Sequence, residues 1–341
     1  MSTRAFTLSD CEYPECLVKP YALLTANPTK VHHFVAQTEQ RQHAFNPEVS
    51  PKNRNVYRLP LTLFHKPHHG EVKSVNIENN LSYHNLYTLT FEQGDGGRQY
   101  NLENWFNRYE SGYEEACSRL RHLPEGSRNV PEELWRVLKL KMLGVLRNPN
   151  NRSDRMFYEM HRYVHEQLPN ISSEFTHLIS ARPRRLTNNI LQTFGFEFEE
   201  YTLWLANLYG MLTEGTYRPS LFERIFAAMF ENRQTAEIEL HRFTDPHACC
   251  FFADSSYCRQ NTNHWISIGF NIASDMFAII HFDFEGTNNN RNLLTNPPLP
   301  LGGQVKIIDN DHNQRTAFNN LCIKQAREAV YGKSNQQHDY F

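Results

Sequence analysis

The spacing of apolar residues changes twice along this chain, and those two changes constrain its fold more than any single motif. From Asn101 to His122, Leu102, Trp105, Phe106, Tyr109, Tyr113, Ala116 and Leu120 recur at intervals of three and four, which gives a helix one apolar face. Segments 131–148, 154–168, 197–212 and 220–240 continue the helical pattern, with Pro131 at a first turn. On either side the pattern is that of strands. "VHHFVAQ" (31–37) and "NVYRLPLTLF" (55–64) are the clearest early candidates, and "ACCFFADSS", "NHWISIGFNI", "MFAIIHFDF" and "QVKIIDND" follow His241. A last helix is expected over 316–332, with Gly332 as its stop.

The chain therefore reads as an α+β protein in three parts. Residues 1–95 form a strand and loop region with a small hairpin or finger, 96–240 a helical bundle, and 241–341 a mixed β region closed by a helix. Residues 285–303, rich in Asn and Pro, read as a long functional loop.

With 341 residues, 40% of them hydrophobic and 13% aromatic, the chain can bury a substantial core. Its 23 Phe and 16 Tyr argue against disorder. A net charge of −2 excludes a protein that coats nucleic acid through an overall basic excess, and leaves room for a local basic cleft. No apolar run is long enough to span a bilayer, and the first residues lack the apolar core of a signal peptide. The expectation is a cytoplasmic protein with no membrane partner, whose seven irregularly spaced cysteines are reduced thiols.

The chemistry-bearing residues cluster early. His32 and His33 end the first strand, and neighbours on a strand face opposite ways, so only one of them can face a given cleft. In a His-Me finger nuclease, a histidine at a strand end deprotonates water while a divalent ion stabilises charge on the phosphorane. Here His32 or His33 would be the base, and Asn46 or Asn55 would position the base or the metal. "HKPHHGE" supplies His65, His68, His69 and Glu71 as candidate ligands for Mg²⁺, Mn²⁺ or Zn²⁺. The same residues fit a blander account, in which the paired histidines pack at a sheet edge and the second cluster is a surface loop. Cys11 and Cys16 could begin a zinc knuckle, but the next cysteine is Cys117, so free thiols fit better. "ARPRRL" (181–186) suits phosphates or an ordinary solvated face. Asp254 and its serines suit a turn or cap. Hydrolase elbows, phosphate loops and dinucleotide fingerprints are absent.

The segment "HHFVAQ" resembles the His-His-aromatic-aliphatic-Pro-Gln signature of an uncharacterised, mostly bacterial group, domain-of-unknown-function family 4238, with Ala36 in place of the usual Pro. "VYRLPL" and "NLYTL" are similar to its next segments. "NLENWFNRYESGYEEA" is similar to its helix of spaced glutamates, matching Glu103, Glu110 and Glu114. "LGVLRN" resembles a helix ending in an arginine, here Arg147; "FADSS" and "FNNLCIKQAREAVYG" resemble its later segments. The resemblance implies an architecture and a site around His32 and His33, and carries no settled activity.

Three functions follow. The first is a metal-dependent nuclease or phosphodiesterase of His-Me (HNH-like) type, with nucleic acid as partner and a role in antiviral defence or as a toxin. The alternative is a non-catalytic module that binds a protein partner or a second copy of itself, its histidines structural. The third is a hydrolase or transferase acting on a nucleotide or nucleobase, to which Glu103, Glu110 and Glu114 would contribute from near one helix face.

Overall fold

The computed structural model describes residues 25–65, 71–91, 99–153, 158, 161–162, 182–213, 219–230, 236–261, 265–283 and 301–341. Within them the architecture is α+β. The elements run β1 (Val31–His33), α1 (Gln37–Arg41), β2 (Asn55–Pro60), α2 (Thr62–His65), β3 (Lys73–Asn76), β4 (Ser82–His84), β5 (Thr88–Phe91) and β6 (Gln99–Asn101). They continue with α3 (Glu103–Glu110), α4 (Tyr113–Arg121), β7 (Gly126–Asn129), α5 (Glu132–Arg147), α6 (Arg184–Phe194), α7 (Phe198–Leu212), α8 (Leu221–Met229) and β8 (Ala236–Arg242). The chain closes with β9 (Phe252–Ala253), β10 (Cys258–Asn261), β11 (Trp265–Ala273), β12 (Met276–Asp283), β13 (Gln304–Asp309), α9 (His312–Gln325) and β14 (Ala329–Gly332).

Sheet pairing cuts across sequence order. A six-stranded sheet runs β10-β11-β12-β8-β13-β7, and a four-stranded sheet runs β3-β2-β14-β9. The second therefore joins strands from the two ends of the chain. β1 pairs antiparallel with β4, placing His32 opposite Tyr83. Against these sheets packs α5, an almost wholly buried helix carrying Leu134, Leu138, Met142 and Leu146. A helix apolar on most sides belongs in the interior, and α7 follows the same logic.

Six elements differ from the sequence-based expectations, and of "ACCFFADSS" only Phe252–Ala253 is strand. The single helix over 101–122 is two, α3 and α4, because Gly112 takes the left-handed conformation at φ +76° that ends one helix and starts the next. The helix over 220–240 stops at Met229 and gives way to β8, where the alternation of Ala236, Ile238 and Leu240 with Glu237 and Glu239 sets a strand. "VHHFVAQ" is strand only through His33, since α1 begins at Gln37. The strand over 55–64 ends at Pro60 and turns into α2. The closing helix starts earlier, where the Asp311 side chain accepts the Gln314 N–H at 3.0 Å, and ends at Gln325. Gly332 lies in β14, where an added Cβ would overlap the Tyr340 hydroxyl. Residues 285–300 of the expected loop and most of the 154–168 segment lie outside the described residues.

Candidate functional site

The strand geometry separates the two histidines. His32 is fully buried, and its ring stacks on Tyr87 with centroids 5.5 Å apart and planes 6° from parallel. Its Nδ1 accepts the Tyr87 backbone N–H at 2.8 Å, so Nε2 carries the proton and donates to the Thr29 carbonyl at 3.0 Å. Both nitrogens are committed, and burial pushes the imidazole pKa down to about 4. His32 is placed as a neutral clip joining β1 to the segment before β5.

His33 points the other way, into a cleft of about 700 Å³. The walls come from β1 (His33), α1 (Gln37, Arg41), the turn after β3 (Glu78, Asn79) and one face of α3 (Glu103, Asn107, Glu110). His33 Nε2 lies 3.1 Å from the Glu78 carbonyl oxygen and 3.2 Å from Gln37 Nε2. The Gln37 amide is oriented by Arg41, whose Nη2 donates to its Oε1 at 2.7 Å, leaving the NH₂ toward His33. One imidazole nitrogen thus faces both a donor and an acceptor, so it has a partner whether or not it carries a proton. Burial lowers the His33 pKa below the usual 6.5 and nearby Glu110 opposes that shift, so the ring is neutral at pH 7.

The opposite wall carries two glutamates seven residues apart, two turns along one face of α3. Glu110 Oε1 accepts from Nη1 of the fully buried Arg147 at 2.8 Å. Arg147 sits at the end of α5, its guanidinium 4.7 Å from the Phe106 ring centroid, and its Nε and Nη2 have no hydrogen-bond partner. Glu103 lacks such a partner. Its buried Oε1 is unsatisfied, and burial pushes its pKa up to about 8, against the pull of Arg147 and with help from Glu110. Two carboxyl groups on one helix therefore sit in unlike surroundings, Glu110 paired with Arg147 and Glu103 buried without such a partner.

The other sequence candidates are dispersed. Asn46 accepts the Asn55 N–H through its side chain at 2.8 Å and donates to the Asn53 carbonyl at 3.3 Å. That closes the loop leading into β2, and neither Asn46 nor Asn55 lines the cleft. His65 ends α2, His68 and His69 lie outside the described residues, and Glu71 is exposed and not on the cleft wall. Glu114, exposed, lies 3.6 Å from the half-buried Arg54. Among the described residues, no group of three or more His, Cys, Asp or Glu is arranged to hold a metal ion.

Residue-by-residue reading of the sequence gave Gln37, Arg41, Glu78 and Asn107 no role. Gln37 had a signal, because it follows His33 by four residues. Glu78 and Asn107 had none, since they join the cleft only through tertiary packing.

The order of segments agrees with this geometry: "HHFVAQ" supplies His33 and Gln37, the glutamate helix supplies Glu103 and Glu110, and the "LGVLRN" helix supplies Arg147. No curated protein and no solved structure matches the chain. A family model does match, over residues 31–336, and the chain belongs to that family, described as Protein of unknown function (DUF4238).

Proposed function

We propose that the His33 cleft is the centre of a phosphodiesterase, a nuclease-type hydrolase, in which protein groups supply both acid and base. One observation carries the reading: a neutral imidazole and a neutral carboxyl group line the same cleft, beside a carboxylate fixed by a buried arginine. Perturbed acid and base groups gathered in a cleft are what proton transfer to and from reacting oxygens requires.

His33 Nε2 takes the proton of a water, whose oxygen forms the new bond to phosphorus. Glu103 gives its proton to the departing alkoxide oxygen as the old P–O bond breaks. The products are a phosphomonoester and an alcohol, and His33 and Glu103 exchange protons with solvent to reset. Arg41, on the cleft wall, favours an anionic substrate. Glu110 holds Arg147 in place. A divalent ion enters the test as an added reagent.

The test is cleavage of plasmid DNA, RNA and a bis-aryl phosphate by the full chain, with EDTA and with Mg²⁺ or Mn²⁺. Loss of about 10²-fold or more in His33→Ala, with the fold retained, is expected for a general base. Equal rates in wild type and His33→Ala would refute the reading and favour a binding module.

A further inference from the structure

A second cleft, of about 640 Å³, opens where three distant segments meet, and Arg152, Arg259 and Arg327 line it without a lining carboxylate among the described residues. Asn150, Asn261 and Gln325 add amide groups to the wall. Glu200 pairs with Arg152 at 3.3 Å, and Arg327 Nη1 donates to Asn150 Oδ1 at 3.3 Å.

The cleft is built on a rigid floor. Asn151 donates from its side chain to the Val145 and Ser255 carbonyls, both at 3.0 Å, and Asn148 donates to the Asp254 carbonyl at 2.6 Å. The Asp254 carboxylate accepts the backbone N–H groups of Arg327, Glu328 and Ala329 at 2.8, 2.7 and 3.1 Å, which fixes the Arg327 backbone. Gln325 accepts the Arg259 N–H at 2.7 Å and its amide returns a bond to the Arg259 carbonyl. Between the lining residues Ser255 and Tyr257, Ser256 holds φ at +70°, a conformation a non-glycine residue keeps only when its surroundings enforce it. Preset donors, a fixed backbone and a local strain form a prepared surface.

We infer that this cleft binds the phosphates of a polyphosphate ligand, with Arg259 and Arg327 as the principal contacts. Planar guanidiniums match phosphate oxygens in pairs, and the volume suits a group of nucleotide size. The phosphates can belong to a free nucleotide or to a nucleic-acid strand. The site is independent of the His33 cleft, since the two share no lining residue.

Titration calorimetry on the full chain tests the assignment with three probes: inorganic pyrophosphate, ATP and a twelve-nucleotide single-stranded DNA. Pyrophosphate is expected to bind wild type and to lose about tenfold or more in affinity in Arg259→Gln and in Arg327→Gln. Tighter binding of ATP than of the oligonucleotide identifies a free nucleotide; the reverse order, with strong salt dependence, identifies a strand. Asn261→Glu, on the exposed rim, brings a carboxylate to the cleft without disturbing the floor and should weaken pyrophosphate by a similar factor. Failure of all three probes, or unchanged binding in Asn261→Glu, overturns the site. Loss of pyrophosphate binding in His33→Ala also overturns it, by placing the anion in the other cleft.

Discussion

Nη1 of Arg147 meets Oε1 of Glu110 at 2.8 Å, and this contact separates the behaviour of two glutamates on one helix face. Glu110 pairs with a buried cation. Glu103, without one, holds a proton to about pH 8. The acid in the proposed mechanism thus arises from burial, which outweighs the pull of Arg147.

Activity should follow a bell-shaped pH profile. The acid limb falls below pH 6.5, where His33, lowered from its usual value by burial, takes up a proton; the alkaline limb falls near pH 8, where Glu103 loses one. Glu103→Gln is expected to lower kcat by about 10²-fold and to remove the alkaline limb. An alkaline limb surviving in Glu103→Gln shows that another group is the acid.

Glu103 also links stability to pH. Its folded pKa of about 8 stands above the ordinary 4.5, so the native state holds a proton that the unfolded chain releases. The associated stability is complete below about pH 4.5 and is lost as pH rises through 8. Relative to Glu103→Gln, wild type should weaken across that window by up to about 5 kcal/mol, as read by urea unfolding at several pH values.

His32 has the opposite sign. Its folded pKa of about 4 lies below the usual 6.5, so its contribution is present above pH 6.5 and is lost as pH falls through 4. His32→Ala leaves a cavity against Tyr87 and orphans the Tyr87 N–H and the Thr29 carbonyl, a loss of about 3 kcal/mol in urea unfolding. His33→Ala, at a half-buried cleft position, should change stability by about 1 kcal/mol or less. Equal losses in the two variants contradict this division.

A second amphipathic contrast lies under α1. Lys141 and Glu39 form an ion pair whose side chains are 3% and 4% exposed, so removing one partner strands a buried charge. Lys141→Met should cost about 3–5 kcal/mol, and the double variant Glu39→Leu/Lys141→Met should recover part of that loss. Additive losses in the double variant would mean that the pair is not coupled.

Much of this architecture was legible in the apolar spacing. α5, α7 and strands β11 to β13 follow the periodicity of their residues, because each buries a continuous face. Breaks at Gly112 and Met229 were less legible, since helical spacing runs on across Gly112 and β8 shows its alternation only after the helix has ended. Pairing of β1 with β4, and of β2 with β14 at the far end of the chain, depends on long-range contacts that no local pattern specifies. At the site, strand alternation separated His32 from His33, and helical spacing aligned Glu103 with Glu110. Arg147, 37 positions beyond Glu110, reaches the glutamates only by packing.

The most direct measurement compares phosphodiester cleavage by wild type, His33→Ala and His32→Ala, each checked for folding by circular dichroism and with divalent ions supplied or chelated. The account predicts that His33→Ala is folded and inactive, while the folded fraction of His32→Ala retains wild-type turnover. Full activity in His33→Ala, or a folded His32→Ala that has lost turnover, would contradict it.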